Sequence, residues 1–390
     1  MKKISKKWMI GIIVMAIALA SAFVWWQYYG GKGWYQYYVH GAIEPVSFSN
    51  ETNTNPLYTG EEFENVISKY DLIQKWPVSE GTDPVEQIAK DSYVIPGLLS
   101  TRTVINRNSH ALSICTSMTP QGVAATDKYV LVSAYCHIKT HNSVIYVIDR
   151  ETHKFIKELV LPDKSHVGSI AVDNHNGNVW VCCYEEKMKC AYVRSFSLKQ
   201  LEDYQFDKGW KTITYEQSYP LVTLKRASFM YYRYSTQAQE GRLYVGYYRQ
   251  KADSVSTVNC YEINADGGLA EAPNQNRKNY NDPAEMPYVM QKISIDGGAQ
   301  GFATNEDMIA VLTSSGSMNP SYLRIFKHEG EEDIDATVNG GNLVVPQWDL
   351  PPMGEEIYIY DNAMYICFES GAFAYRAREC DHMDRVLVLK

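Results

Sequence analysis

Six polar residues precede or begin predicted strands and could together perform chemistry: Gln121, His166, Arg226, Gln300, Glu355 and Glu356. An imidazole can act as a general acid or base near neutral pH, a guanidinium can hold an anionic group, and a pair of carboxylates can bind a metal ion or serve as a second acid or base. These six residues form the candidate ligand-binding set, with no catalytic role assigned. The competing interpretation is that they only solvate a channel mouth, because His166 and Arg226 are one residue out of register with Gln121 and Gln300 when the neighbouring glycines are aligned.

Motifs that would name a reaction are missing from the sequence. The 390 residues contain no Gly-x-Ser-x-Gly elbow, no His-Glu-x-x-His pair, no phosphate-binding glycine loop and no Cys-x-x-Cys pair. Asp173 to Gly177 resembles a calcium loop only superficially, and Asn176-Gly177 is instead a strong hairpin signal. We therefore predict no metal site, and the cofactor is unknown.

A repeated strand-rich unit must position the six polar residues. Gln121-Gly122-Val123-Ala124 returns as Gln300-Gly301-Phe302-Ala303, and both copies run into alternating apolar strands. From about Thr119 onward such strands group into five sets of up to four, which predicts an all-β fold, a β-propeller of five blades. The inner strands of a propeller run in the same direction, so their first residues should meet at one mouth of the central channel. Gly122, Gly168 and Gly301 are expected beside the axis, where space is short.

The two ends of the repeat region leave the blade number open. The last set is predicted as Ile357 to Tyr360, Met364 to Phe368, Phe373 to Arg376 and Val386 to Leu389. Because that set ends at the C-terminus, ring closure would have to borrow a strand from the region between Tyr93 and Ser117. The same region might instead supply most of a sixth blade.

The repeats resemble the broad extracytoplasmic propeller superfamily that includes YVTN-type and PQQ-type repeat proteins. The resemblance is carried by Gln121 to Ala124, by Ser143 to Asp149 and by His166 to Asp173, and it extends from about Gln121 to Leu389. It implies the architecture only. The Tyr-Val-Thr-Asn tetrapeptide and the tryptophan docking motif of quinoprotein blades are both missing, so quinone binding is not implied.

The N-terminus predicts export. Four lysines within residues 2–7 precede an uncharged apolar stretch from Trp8 to Trp26, about long enough to cross a bilayer as a helix. We expect a single-pass signal anchor with the C-terminal domain outside the cytoplasm. Cleavage near Ala20-Ser21-Ala22 would instead release a secreted protein. The eight aromatic residues that follow suggest an interfacial belt: Trp25, Trp26, Tyr28, Tyr29, Trp34, Tyr35, Tyr37 and Tyr38.

These features divide the chain into three regions. Residues 1–30 form the cytoplasmic tail and anchor, residues 31–94 the aromatic juxtamembrane segment and short helices, and residues 95–390 the propeller. Within the linker, the capping-box spacing at Thr59 predicts a helix that runs to about Lys75, and Asp83-Pro84 predicts the start of another.

Charge and cysteines limit the partners and crosslinks. The net charge of −8 disfavours nucleic acid and anionic lipid, which require a basic face. The eight cysteines are irregularly spaced, so we predict at most one or two disulfides, with Cys367–Cys380 or a bridge from Cys182 or Cys183 to Cys190 as the candidates.

Two functions are compatible with the sequence. The first is a membrane-anchored extracytoplasmic propeller that binds a protein or glycan at the cell surface without catalysis, which the lack of catalytic motifs favours. The alternative is a hydrolase or lyase that acts on an envelope polymer, with His166, Arg226 and the Glu355–Glu356 pair around the channel mouth. His166 and a glutamate side by side in one open pocket would favour the enzyme.

Overall fold

The structure, a computed structural model, describes residues 6–28, 51–105, 111–185, 189–249, 255–271, 287–328, 334–339 and 343–390. Five four-stranded antiparallel sheets are the main feature of this part of the chain. They form a five-bladed β-propeller, which confirms the predicted blade number and excludes a four-stranded sixth blade in the described residues.

The first two blades follow the predicted strand order. Blade 1 consists of β4 (Met118–Ala125), β5 (Tyr129–Cys136), β6 (Val144–Asp149) and β7 (Phe155–Val160). Blade 2 consists of β8 (Ile170–Asp173), β9 (Asn178–Glu185), β10 (Cys190–Ser197) and β11 (Gln217–Leu221). A short helix, α5 (Leu198–Asp203), separates β10 from β11.

The next two blades have the same order, from the inner strand to the outer. Blade 3 consists of β12 (Phe229–Ser235), β13 (Glu240–Gly246), β14 (Val255–Ile263) and β15 (Val289–Asp296). Blade 4 consists of β16 (Ala299–Thr304), β17 (Met308–Thr313), β18 (Ser321–Lys327) and β19 (Leu343–Leu350), with α6 (Ile334–Asn339) before β19.

Blade 5 closes the ring with a strand from the other end of the propeller. Its inner three strands are β20 (Gly354–Tyr360), β21 (Ala363–Phe368) and β22 (Arg385–Leu389), and its outer strand is β1 (Tyr93–Val94). Tyr93 pairs with Val386 and Val94 with Arg385. The N-terminal side of the propeller therefore closes the ring through antiparallel hydrogen bonds, as expected for the alternative of a borrowed strand.

The predicted strand from Phe373 to Arg376 is wrong. This segment forms consecutive turns, in which Tyr375 N donates to Ala372 O at 2.9 Å and Arg378 N donates to Tyr375 O at 2.8 Å. The Arg376 side chain then donates to the backbone carbonyl of Gly371 at 2.8 Å. Because these local bonds satisfy the backbone, the segment needs no strand partner, and the real third strand of the blade is β22.

The predicted glycines lie beside the axis. A Cβ atom added to Gly122 would lie 2.8 Å from Ile170 N, one on Gly168 would lie 2.9 Å from Ser228 O, and one on Gly301 would lie 2.8 Å from Ile357 N. In each case the obstacle is the inner strand of the next blade or the residue just before it. A missing side chain is thus what lets neighbouring blades approach at the centre.

Three short helices and a two-stranded sheet precede or flank the propeller. The capping box at Thr59 starts α2 (Gly60–Ile67), but Tyr70 has an extended backbone and a separate helix, α3 (Asp71–Lys75), follows. The single helix predicted to run to Lys75 is therefore two. Asp83 caps α4 (Pro84–Asp91), which packs on β22. The small sheet pairs β2 (Thr101–Thr103) with β3 (Ser113–Cys115).

The N-terminal element is α1 (Lys6–Tyr28). Among the residues that the structure describes, no helix reaches the length and apolarity that crossing a membrane requires. The predicted anchor thus has no support from the structure, and most of the predicted aromatic belt lies in residues 29–50, outside the described residues.

Neither predicted disulfide is formed. Cys367 and Cys380 are both free thiols, and so are Cys182 and Cys183, which leaves Cys190 without a bridge to either. Cys182, Cys183 and Cys367 are buried within the second strands of their blades, where each behaves as a small apolar side chain.

Candidate functional site

A cavity of about 710 Å³ opens at one mouth of the central channel. Five of the six candidate residues line it: Gln121, His166, Arg226, Gln300 and Glu355. The geometric expectation that the starts of the inner strands share one face accounts for this convergence. Ligand binding by these residues remains a prediction.

Three of these residues reach the cavity because each is the extra residue of a β-bulge. Pro120 pairs with Ala134 and Gly122 with Ser133, so Gln121 has no partner on β5. The same interruption leaves Gln300 unpaired on β16 and Glu355 unpaired on β20. A bulge re-aims a side chain and bends its strand. Each of these three inner strands thus has a β-bulge that directs a polar side chain into the cavity.

Glu356 does not belong to the cavity, and its expected place at the channel mouth is wrong. It is fully buried, and its position in the bulge corresponds to that of Gly122 and Gly301. Its Oε2 atom accepts hydrogen bonds from Val123 N at 2.7 Å and Ile170 N at 3.3 Å.

The second oxygen of Glu356 extends the same contacts to blade 3. Its Oε1 atom contacts Ser169 Oγ closely and lies 3.4 Å from Met230 N. One carboxyl group on β20 therefore bonds the inner strands of blades 1 and 3 and the residues that begin that of blade 2. Burial raises the pKa of Glu356 well above its usual range, against the opposing effect of the backbone hydrogen bonds.

The same carboxyl can serve as a donor. Because Ser169 Oγ donates to Met230 O at 3.2 Å, its oxygen can accept a hydrogen bond from the protonated carboxyl group of Glu356. Glu356 is thus a protonated, uncharged side chain that links the inner strands of three blades.

The chemical centre of the cavity is a pair of carboxyl groups, Glu355 and Glu369, joined by a hydrogen bond. Glu369 lies just after β21 and is only half-buried, because one side faces the cavity. Burial and the adjacent carboxyl raise the pKa of Glu355 well above its usual range, and burial also raises that of Glu369. Like charges in contact cannot both ionise, so the pair retains one proton at neutral pH.

The surrounding donors place that proton toward Glu355. Glu369 accepts from Gln121 Nε2 at 3.0 Å and from the Tyr375 hydroxyl, besides Glu355 itself. Among the described residues, Glu355 receives, besides its bond with Glu369, a long contact from Gln300 Nε2, at 3.4 Å. Hydrogen bonds to the charged form favour that form, so Glu369 is the carboxylate and Glu355 the acid of the pair.

The His166 side chain is exposed and lines the cavity. Its ring stacks on Tyr135, with centroids 4.1 Å apart. The surrounding protein, together with the nearby Lys139 and Arg226, lowers the pKa of His166. The imidazole is therefore neutral near pH 7 and able to accept a proton.

Cationic and aromatic side chains complete the cavity. Arg226, Lys139 and Lys164 are exposed along its wall, whereas Arg194 is held by Asp163 at 2.9 Å. Four tyrosines also line the space: Tyr135, Tyr184, Tyr248 and Tyr375. An anionic ligand with flat apolar faces, such as an acidic sugar, matches this lining.

Sequence reasoning missed Glu369, Tyr135 and Tyr375. Glu369 follows the second strand of its blade and Tyr375 lies in the segment mistaken for a strand, so the rule that selected inner-strand starts could not find them. The Glu369-Ser370-Gly371 turn signal after a buried run was the one available hint.

Comparisons with known proteins assign no family to this chain. No family model and no curated protein matches the chain, so the resemblance to YVTN-type and PQQ-type repeats is not confirmed beyond a propeller architecture. One similar solved structure is the GH43_1 enzyme from Xanthomonas citri complexed with xylotriose, at 10% identity over 78% of this chain and 91% of that chain, with a TM-score of 0.40.

Two further similar solved structures are themselves β-propellers. The β-propeller domain of the Trilobed protease from Pyrococcus furiosus is 6% identical over 66% of this chain and 79% of that chain, with a TM-score of 0.32. The Dos1 propeller is 9% identical over 63% of this chain, with a TM-score of 0.28, and the chain spans only 53% of its length.

Proposed function

We propose that the channel-mouth cavity is the active site of an enzyme that cleaves an acidic glycan by acid–base chemistry. The observation that carries the proposal is the contact between Glu355 and Glu369 inside an open cavity, where burial raises the pKa of both carboxyl groups. Carboxyl groups with raised pKa values in a pocket are typical of general acids. This is the hydrolase or lyase alternative of the sequence analysis, with Glu369 in place of Glu356.

Elimination fits the cavity better than hydrolysis between two flanking carboxylates. Glycosidases that use two carboxyl groups keep them about 5 to 9.5 Å apart so that the scissile bond fits between them. Glu355 and Glu369 are in hydrogen-bond contact and therefore act on one side of a substrate as a unit.

A glycan that contains uronate has the carboxylate and the adjacent C–H bond that elimination needs. Arg226 and Lys139 would bind the sugar carboxylate, and neutral His166 would remove the proton from the adjacent carbon. The electron pair of that C–H bond then forms a C=C bond, the neighbouring C–O bond breaks, and the leaving oxygen takes the proton held by Glu355. No water is consumed, and one chain end becomes an unsaturated sugar.

The cellular location remains a proposal. The lysines and the apolar stretch at the N-terminus favour a protein exported from the cytoplasm. An acidic envelope polymer is the substrate that such a location would offer.

The purified full chain tests the proposal against a panel of acidic and neutral polysaccharides. We expect new unsaturated ends, read as ultraviolet absorbance, with acidic chains only. Glu355→Gln should lower the rate by about 10²-fold or more, since general acid catalysis contributes about 10²- to 10⁴-fold. Glu61→Gln, an exposed glutamate on α2, is the matched control and should keep full activity.

Other results decide against the proposal. New reducing ends without ultraviolet absorbance would show that the enzyme cleaves by hydrolysis and not by elimination. Tight binding of an acidic glycan with no product in any condition would instead support the first function, binding without catalysis.

A further inference from the structure

A cluster of soft metal ligands lies outside the channel-mouth cavity, at the junction of blade 1 and the β2–β3 sheet. Cys115 ends β3, Cys136 ends β5, and His141 lies in the loop between β5 and β6. One ligand atom from each of these residues lies within 4.8 Å of the other two. We propose that Cys115, Cys136 and His141 bind one zinc ion.

The spacing matches tetrahedral coordination. The Cys136 Sγ and His141 Nδ1 atoms are 3.5 Å apart. For Zn–S of about 2.3 Å and Zn–N of about 2.0–2.1 Å at a tetrahedral angle, the sulfur and nitrogen should be about 3.5 Å apart. Two thiolates and an imidazole also favour zinc over magnesium or calcium, which take oxygen ligands.

Neighbouring groups prepare the ligands. His141 Nε2 lies 3.1 Å from Ser113 Oγ, so in the tautomer that carries its proton on Nε2 this N–H donates a hydrogen bond to the serine and the lone pair of Nδ1 faces the sulfur atoms. Ser117 N donates to Cys115 Sγ at 3.4 Å. Metal sites are oriented by outer contacts of this kind.

The cluster joins the small β2–β3 sheet to the end of β5 and the loop that follows it. Around it, Asn142 N donates to Val104 O at 2.8 Å, and Thr103 Oγ donates to Asn142 O at 2.9 Å. Zinc would fasten the small sheet to the β5–β6 loop, which carries Lys139 to the cavity wall. With three protein ligands, a fourth position is open to water. This inference does not depend on the proposed glycan cleavage.

Metal analysis of the purified full chain tests the proposal. The chain is supplied with zinc under reducing conditions and then freed of excess metal. We expect one zinc per chain, and, after exchange, a Co²⁺ spectrum with the visible bands of tetrahedral cobalt and thiolate charge transfer. Cys136→Ser and His141→Ala should each lose both signals. Cys380→Ser, which changes a thiol remote in sequence and outside the cluster, should keep them.

A second measurement keeps the test decisive if Cys136→Ser does not fold. His141 is only half-buried on a loop, so His141→Ala should retain the β signal in circular dichroism. Chelation should lower the melting temperature of the original chain and leave that of His141→Ala unchanged. Absence of zinc from the original chain, zinc retained by His141→Ala, or a Cys115–Cys136 disulfide that persists under these conditions would each overturn the proposal.

Discussion

Glu356 shows how one side chain can hold a propeller together. Its carboxyl group fills the space left by Gly122, where an added Cβ would lie 2.6 Å from Oε2. It bonds backbone N–H groups from the inner strands of blades 1 and 3 and from the start of blade 2. Each buried donor left without a partner costs about 1–3 kcal/mol, so the contribution of this residue is large.

Substitutions at Glu356 separate its charge from its hydrogen bonds. We expect Glu356→Ala to lower the free energy of unfolding by about 3 kcal/mol or more, because several buried N–H groups lose their acceptor. Glu356→Gln should cost about 1 kcal/mol or less, because the amide oxygen keeps the bonds from Val123 and Ile170 and the amide nitrogen can donate to Ser169. Denaturant unfolding measures both. If the glutamine variant is as unstable as the alanine variant, the buried carboxyl group is ionised and the assignment of an uncharged Glu356 is wrong.

The carboxyl pair and His166 set the pH dependence of the proposed reaction. Activity needs a neutral imidazole and a protonated pair. Because the pKa of His166 is lowered and those of Glu355 and Glu369 are raised, a pH range exists in which both conditions hold. Activity should rise as His166 loses its proton and fall at higher pH as the pair loses its own. A profile of rate against pH that is unchanged in Glu369→Gln would contradict this assignment.

Bulges on the inner strands determine both packing and site geometry. Each places a polar residue in the cavity and the following residue against the axis. In β4 and β16 that following residue is glycine, whereas in β20 it is Glu356. The Gln-Gly repeat is visible in the sequence, but the equivalence of Glu355-Glu356 to Gln-Gly follows only from strand register.

Gly301→Ala tests the close approach at the axis. The new methyl group would lie 2.8 Å from Ile357 N, which belongs to the backbone of β20 and cannot move aside. We expect a loss of about 1–3 kcal/mol in stability, typical of overpacking. Gly60→Ala is the control, since nothing lies within 4 Å of its Cβ position. Equal melting temperatures for the two variants would show that the inner strands can separate freely.

Local patterns predicted the strands well and the long-range partners poorly. The inner, second and third strands of blades 1 to 4 follow from alternation of apolar residues and turn signals. In blade 5 the inner and second strands also follow, but Phe373 to Arg376 was mistaken for the third strand. The outer strand, Tyr93–Val94, is only two residues long and lies far away in sequence, so the sequence predicted only the region that could supply it. The Cys115, Cys136 and His141 cluster escaped notice because its ligands meet through the fold and have no motif spacing.

The three glutamates with raised pKa values together give the whole protein a characteristic pH response. The folded-state pKa values of Glu355, Glu356 and Glu369 are raised above those of the unfolded chain. Their stabilising contribution is therefore complete below the unfolded pKa, near 4.5, and is lost as the pH rises through the folded values. We expect the melting temperature to fall between pH 5 and pH 8, as measured by scanning calorimetry.

The glutamine variants identify which groups make the melting temperature depend on pH. In Glu355→Gln/Glu369→Gln two of the three groups no longer titrate, so the melting temperature should depend less on pH. A slope equal to that of the original chain would assign the effect to other groups.

The proton held by the Glu355–Glu369 pair is the central claim, and infrared difference spectroscopy observes it directly. At pH 7 the spectrum of the original chain minus that of Glu355→Gln/Glu369→Gln should contain the C=O stretching band of a protonated carboxyl group, which should shift in D₂O and disappear as the pH rises. Glu356 and the other carboxyl groups cancel in the difference. If the difference at pH 7 contains only carboxylate bands, both groups are ionised, and the cavity has no acid with which to protonate a leaving group.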